Sequence, residues 1–283
     1  MRNEMTATHA FPRSDKHRIE NGSQPDIRDL MTATLKIYKW SSQAFWRYFE
    51  LQALKLIDYE RPILEIGCGD GQFSSLVFRE IDDAIDINPR AVDKCRRLAS
   101  HLYRRVQCLY ARELQFSEGG YGTVYANCVM EHIPDIEGVL RGCYRGLRPG
   151  GTLVSTVPLV QMNEHLLFPW SWYAKVRQRQ LVHLNLFTQQ EWKELLLSTG
   201  FSDIQFRPYL SGQACKFWDT LDSVGCLGFG RYRLAPILGK VFELLPTGLQ
   251  NRTLARLSGW LTSKAKTNGS LEPACAVVVI ARK

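Results

Sequence analysis

Between Pro62 and Pro158 the apolar residues fall into short apolar-rich runs separated by stretches in which they recur every three or four positions. The runs predict strands over 63–67, 84–88, 105–110, 122–127 and 151–158, and the periodic stretches predict helices over 72–80, 89–100 and 135–147. Past Pro158 the alternation resumes with a helix over 188–199 and a strand over 204–209, and a last apolar run predicts a strand over 275–281. Strand and helix in turn predict an α/β fold, a doubly wound, seven-stranded, mostly parallel sheet, although no helix is visible between the third and fourth strands. Upstream, Phe45, Phe49, Ala53 and Leu56 recur at helical spacing, widened by Trp46, Leu54 and Ile57. That stripe predicts a helix over 44–58 packed on the sheet or covering its ligand.

The segments that break the alternation are as informative. Residues 1–30 are polar and aperiodic and predict a mobile tail, leaving 31–283 as one domain with two helical insertions, at 159–186 and 211–272. The first insertion contains Phe168, Trp170, Trp172 and Tyr173 followed by Lys175, Arg177 and Arg179. In the second, Leu254, Leu257 and Leu261 with Trp260 fall on one side of a helix that also carries Arg252, Arg256 and Lys264. Two readings of that layout stand open: peripheral contact with an anionic membrane surface, or a cap whose apolar side packs on the sheet.

Composition narrows the class. The chain is 283 residues long and 45% hydrophobic, enough for a full core, and carries a net charge of +8. The second insertion alone holds eight basic against four acidic residues. Eight scattered cysteines without a C-x-x-C pair read as reduced thiols, and spacing alone predicts no metal site. With no secretory signal and no run long enough to span a bilayer, the expected location is cytoplasmic, with peripheral contact at the inner membrane face as the open addition.

The chemistry concentrates at Glu65-Ile66-Gly67-Cys68-Gly69-Asp70-Gly71, a strand opening into a glycine-rich turn. Glycines here let the backbone take positive φ and let a nucleotide-like ligand lie against it. A dinucleotide fingerprint would need glycine where Gln72 stands, and a P-loop would need Gly-Lys-Ser/Thr. What remains is G-x-G-x-G, with a second strand that delivers Asp86 where open α/β sheets place an acid on a ribose.

These stretches, with Ala126 to Asp135 and Arg148 to Pro158, resemble the class I S-adenosylmethionine-dependent methyltransferases. Val129-Met130-Glu131-His132-Ile133-Pro134-Asp135 is similar to the ubiquinone-biosynthesis type of O-methyltransferase. The resemblance implies S-adenosylmethionine as cofactor, with Gly67, Cys68 and Gly69 lining its methionine part and Glu65 organising the turn or reaching its ammonium through water. It implies Asp86 on the ribose, Ile87 on the adenine face and Asn127 at the crevice. The family's aspartate after the third strand is here Tyr110, so the backbone of Ala111 and Arg112 would replace its adenine contact. Tyr121-Gly122 replaces the family's Phe-Asp as a structural change.

A methyl transfer to a hydroxyl profits from a base, and His132 and His183 are the candidates, each with a structural histidine as its alternative. The expected acceptor is a small or lipid-linked molecule; RNA or protein methylation, and a cofactor-binding protein without turnover, are the other readings. Nucleic acid is not expected, since the fourth strand ends Asn127-Cys128-Val129-Met130, without the Asn/Asp-Pro-Pro-aromatic loop that holds a flipped base.

Overall fold

The computed structural model describes residues 27–38, 40–113, 120–229, 232–266 and 271–283. The tail expected over 1–30 lies outside them except for its last four residues, which open helix α1 (Ile27–Ile37). Helix α2 (Ser41–Leu54) follows, and then β1 (Ile63–Ile66), β2 (Ile81–Asp86), α3 (Pro89–Leu98), β3 (Tyr103–Cys108), β4 (Tyr121–Asn127), α4 (Ile136–Gly146) and β5 (Leu147–Pro158). The remainder is α5 (Ser171–Leu181), α6 (Gln189–Ser198), β6 (Ser202–Ser211), α7 (Gly212–Cys226), a short hairpin of β7 (Gly228–Phe229) and β8 (Tyr232–Arg233), α8 (Leu234–Glu243), α9 (Thr247–Lys266) and β9 (Ala274–Arg282).

The seven long strands form one sheet in the order β3-β2-β1-β4-β5-β9-β6. β9 runs antiparallel to both its neighbours, and the remaining pairs are parallel. The chain order reverses direction at β1 and β4, so the crevice beyond their carboxyl ends is the place for a ligand. α7 to α9 fill the β6–β9 connection, as the sequence pattern predicts for the second insertion.

Period-two alternation assigns each strand residue to a layer. In β1, Leu64 and Ile66 join a core with α4 and α6 that includes Val139, Leu140, Trp192 and Leu196. Ile63 faces the opposite core, built with Phe45, Tyr48 and Leu51 of α2 and Trp218 of α7. Local signals set the helix starts. Asn88 accepts the Arg90 N–H at 3.0 Å before Pro89, Asp135 accepts from Gly138 at 3.1 Å, and Thr188 with Glu191 forms a reciprocal capping box.

One predicted helix is absent. After the glycine turn only a 3-10 turn over Ser74–Leu76 forms, not a helix over 72–80. Ser74 donates to the buried Glu65 carboxylate and Ser75 to the Gln72 carbonyl, bonds that compete with a helical ladder. Tyr121 and Gly122 are structural as expected: Tyr121 donates to Asp83 at 2.7 Å, and a Cβ at 122 would stand 2.6 Å from the Glu60 carbonyl oxygen.

The apolar stripe of the second insertion packs inward. α9 turns Leu254, Leu257 and Leu261 into the core, with Leu261 fully buried, so of the two open readings of this stripe the packed cap is the one it follows. No helix among the described residues is long and apolar enough to cross a membrane.

Candidate active site

The glycine turn leaves β1 with left-handed φ at Gly67 (+74°) and Gly69 (+56°), where a side chain would be strained. The two positions differ in their surroundings. A Cβ at 67 would lie 2.4 Å from Val129 Cγ2, so Gly67 lets the segment after β4 close on the turn. A Cβ at 69 would meet nothing within 4 Å, leaving that backbone open to a ligand. Cys68 turns its buried thiol into the core and can line the crevice only with its backbone.

Asp86, at the end of β2, braces the turn. Its Oδ2 accepts the Gly69 N–H at 2.8 Å and its Oδ1 accepts the Asn88 N–H at 2.8 Å. Each oxygen keeps a further lone pair, enough for one hydroxyl of a vicinal diol apiece. Ile87 beside it is 52% exposed, a flat apolar surface for a base. Tyr110, also exposed, carries the Arg112 guanidinium 5.1 Å above its ring, and Ala111 and Arg112 sit in a 3-10 turn at the same edge.

Glu65 does not reach the crevice. It is buried, accepts from Ser74 Oγ at 2.5 Å and from Tyr103 OH at 2.7 Å, and desolvation raises its pKa to about 7. Its partners tie the end of β1 to the segment after the glycine turn and to β3. The arrangement fits the cofactor: an open left-handed turn, an oriented carboxylate with spare acceptor capacity, and an exposed apolar neighbour.

A residue that the sequence reading missed stands opposite. Arg47 of α2 donates to Glu50 at 2.5 Å and to Asn127 Oδ1 at 3.0 Å, and its guanidinium lies 5.3 Å from the Phe73 ring. Burial works against its charge, but Glu50 holds the guanidinium ionised. The signal was present: Arg47 is the one base in Phe45-Trp46-Arg47-Tyr48-Phe49. Thr156 also donates to Asn127 Oδ1, at 2.7 Å, so the amide oxygen is committed to the protein and Asn127 is locked in place. Cys128 follows with φ +48° and its thiol 3.1 Å from Glu50 Oε1.

Beyond β4 a 3-10 turn (Met130–His132) meets the end of the first insertion. Leu184 and Asn185 donate their N–H groups to the Glu131 carbonyl, and the Asn185 side chain donates to the carbonyls of Met130 and Ile133. Two residues upstream of that strap, Val182 takes φ +58°, unusual for a β-branched residue, and its carbonyl accepts from His132 Nδ1 at 2.9 Å. His183 Nδ1 lies 2.6 Å from Gln178 Oε1. Both rings are thus held through Nδ1, which leaves Nε2 on each as the working nitrogen.

The two candidate histidines, 51 positions apart in the chain, therefore meet, with ring centroids 5.4 Å apart. Glu131, also missed from sequence, joins them with Oε1 3.9 Å from His132 Nε2. It is buried, its Oε2 has no hydrogen-bond partner, and desolvation lifts its pKa to about 8. Burial, with the neighbouring His132 adding to it, lowers the His183 pKa to about 4. Ligand atoms of the three lie within 4.8 Å of one another, close enough for a metal ion, so folding supplies a cluster that spacing does not predict.

The methyltransferase domain family matches residues 42–205. A malonyl-[acyl-carrier protein] O-methyltransferase of Paenibacillus sp. (strain JDR-2) is 26% identical over 197 residues, 64% of this chain and 70% of that protein. The mitochondrial ubiquinone biosynthesis O-methyltransferase of Rattus norvegicus is 30% identical over 112 residues, 36% of this chain and 32% of its own length. Among solved structures, a SAM-dependent methyltransferase of Thermotoga maritima superposes with a TM-score of 0.55 at 15% identity, covering 91% of this chain and 99% of that one, a likeness of fold. Sequence, topology and crevice agree, and the chain belongs to the methyltransferase domain family as an enzyme that uses S-adenosylmethionine.

Proposed function

We propose that this enzyme methylates an oxygen of a small or lipid-linked acceptor seated over Glu131, His132 and His183. The observation that carries the reading is their convergence: a buried carboxylate and two imidazoles meet just beyond β4, in the segment whose Val129 closes on the glycine turn. When bound, the cofactor would supply an electrophilic methyl group, with the C–S bonding pair staying on the sulfur as the sulfonium becomes a neutral thioether. The chain's part is alignment, exclusion of water and custody of one proton.

Asp86 would hold the ribose, Ile87 the adenine, the open backbone at Gly69 the methionine part, and Arg47 its carboxylate. His132 Nε2 would take the proton from the acceptor hydroxyl, and Glu131, whose Oε1 lies 3.9 Å from that same nitrogen, would when ionised stabilise the imidazolium. His183, neutral well below pH 7, would accept a hydrogen bond from the acceptor. A base is what an oxygen nucleophile needs, and two relatives of this chain are named O-methyltransferases.

The test is incubation with methyl-labelled cofactor and a lysate, partitioned into organic-extractable, aqueous, RNA and protein fractions. Label in an organic-extractable or small aqueous product, lost on mild base if an ester forms, is expected. Label confined to RNA or protein overturns the acceptor class, and none anywhere overturns turnover. On the identified acceptor, His132→Ala should lower kcat by about 10²- to 10⁴-fold with cofactor affinity unchanged.

A further inference from the structure

α8 is sorted against the usual rule for surface helices. Its large aliphatics Ile237, Leu238 and Val241 recur at i, i+1 and i+4, and Leu244 follows at i+7. These four are 45, 43, 52 and 85% exposed, whereas the buried position on the helix is Gly239. A lone exposed leucine is ordinary, but a contiguous aliphatic ridge facing outward marks an interaction surface.

Two further features share that end of the molecule. Phe168, Trp170 and Trp172 form an exposed ladder of stacked rings, at 4.9 Å and 2° and then 5.6 Å and 21°. Tyr173 OH lies 2.8 Å from Ser223 Oγ, fastening the start of α5 to the last turns of α7, where Val224 and Leu227 are also exposed. The Leu234 N–H donates to the Leu227 carbonyl at 2.8 Å, joining the same turn to the start of α8. The ring ladder and the aliphatic ridge thus flank one end of α7.

Charge selects the partner. From 234 to 266 the chain holds five basic residues against Glu243 alone, with Lys240 on α8 and Arg252 and Arg256 exposed on α9. Lys175 and Arg179 are exposed beside the ring ladder. Outward aliphatics, bordering tryptophans and an excess of cations complement, in that order, the acyl chains, the headgroup layer and the phosphates of an anionic bilayer. We infer that this end of the cap docks on an anionic phospholipid bilayer, with α8 lying in the interface plane. The inference is independent of the acceptor's identity.

The test is co-sedimentation of the full chain with vesicles of phosphatidylcholine alone or mixed with phosphatidylglycerol, at low and high salt. Binding to the mixed vesicles only, weakened by salt, is expected. Each cation near such a surface contributes about fivefold to partitioning, so Arg252→Glu/Arg256→Glu should lower it by at least tenfold. Leu238→Glu/Val241→Glu should do the same at outward positions that leave the core intact. S-adenosylhomocysteine affinity, measured by calorimetry, should stay at the parental value in both variants. The inference is overturned if the parent ignores the mixed vesicles at low salt, or if both double variants bind them as the parent does. It is equally overturned if Leu238→Glu/Val241→Glu converts a soluble dimer to monomer without any vesicle binding, since the ridge then belongs to a second copy of this chain.

Discussion

Replacing Asp86 separates the ligand's share of that carboxylate from the protein's. In the folded chain its two oxygens each receive one backbone N–H, from Gly69 and Asn88, both at 2.8 Å, before any ribose hydroxyl arrives. Asp86→Ala would remove the proposed ribose acceptors and free the Gly69 end of the turn. At about 1.5–3 kcal/mol for hydrogen bonds to a charged group, affinity for S-adenosylhomocysteine should fall roughly 10- to 150-fold. Asp86→Asn is the sharper probe, because it keeps size and shape but turns one oxygen into a donor. Either way its amide turns, an NH2 faces one of two N–H donors, so the conservative change should be no gentler than alanine. Calorimetry with the demethylated cofactor, beside thermal unfolding of the apo chain, reads both effects. An Asp86→Asn protein with parental affinity would falsify the assignment of this carboxylate to the turn and the ribose.

Glu131 should show itself in the pH profile: with a pKa near 8, turnover should rise with pH through that value, and Glu131→Gln should flatten the limb. An unchanged limb in the glutamine variant would exclude the carboxylate as its source. Gly67→Ala should cost both stability and cofactor affinity, because its Cβ would sit 2.4 Å from Val129 Cγ2 at a left-handed φ; Val129→Ala in the same chain should recover only the steric part, as melting curves would show. His183 has a folded pKa near 4 against about 6.5 unfolded, so below about 6.5 the unfolded chain binds the extra proton and acid erodes stability down to about 4. Denaturant titrations of the parent and His183→Gln should therefore diverge as pH falls from 6.5 to 4, and parallel curves would refute the buried neutral ring.

The centre of the sheet was legible in the sequence because β1 and β9 are nearly pure apolar runs, the pattern of a strand buried on both faces, whereas β2, β3 and β6 carry several polar residues and show the pattern only in part. The positions of Asp86 and the open glycine were legible because the spacing from the glycine turn to the end of the next parallel strand fixes them. The helix after the turn misled, since Phe73 to Phe78 has helical periodicity but its serines are claimed by Glu65 and the Gln72 carbonyl. Glu131 and Arg47 stayed hidden for a different reason. Their chemistry depends on distant segments, the 184–185 strap for Glu131 and Phe73 with Asn127 for Arg47, which periodicity does not encode. The amphipathic stripes of the cap say that a helix has two faces, but not which neighbour takes the apolar one; α9 gives its stripe to the core and α8 does not.

The place of β9 bears on how the chain is made. It lies between β5 and β6, pairing with both, and Val277 and Val278 are fully buried there. It is also translated after every other strand of the sheet, with roughly sixty residues of α7 to α9 made between β6 and β9. At about 5–20 residues per second, the nascent chain spends some seconds with β5 as an unpaired sheet edge and with β6, whose sheet neighbour is β9, unpaired across the slot that β9 will fill. α7 to α9 emerge during that interval and can cover the apolar layer on one side of the slot while it is empty. The cap is thus placed to act as a temporary wall for a sheet awaiting its sixth strand in spatial order, and deleting it should first be felt as aggregation during synthesis.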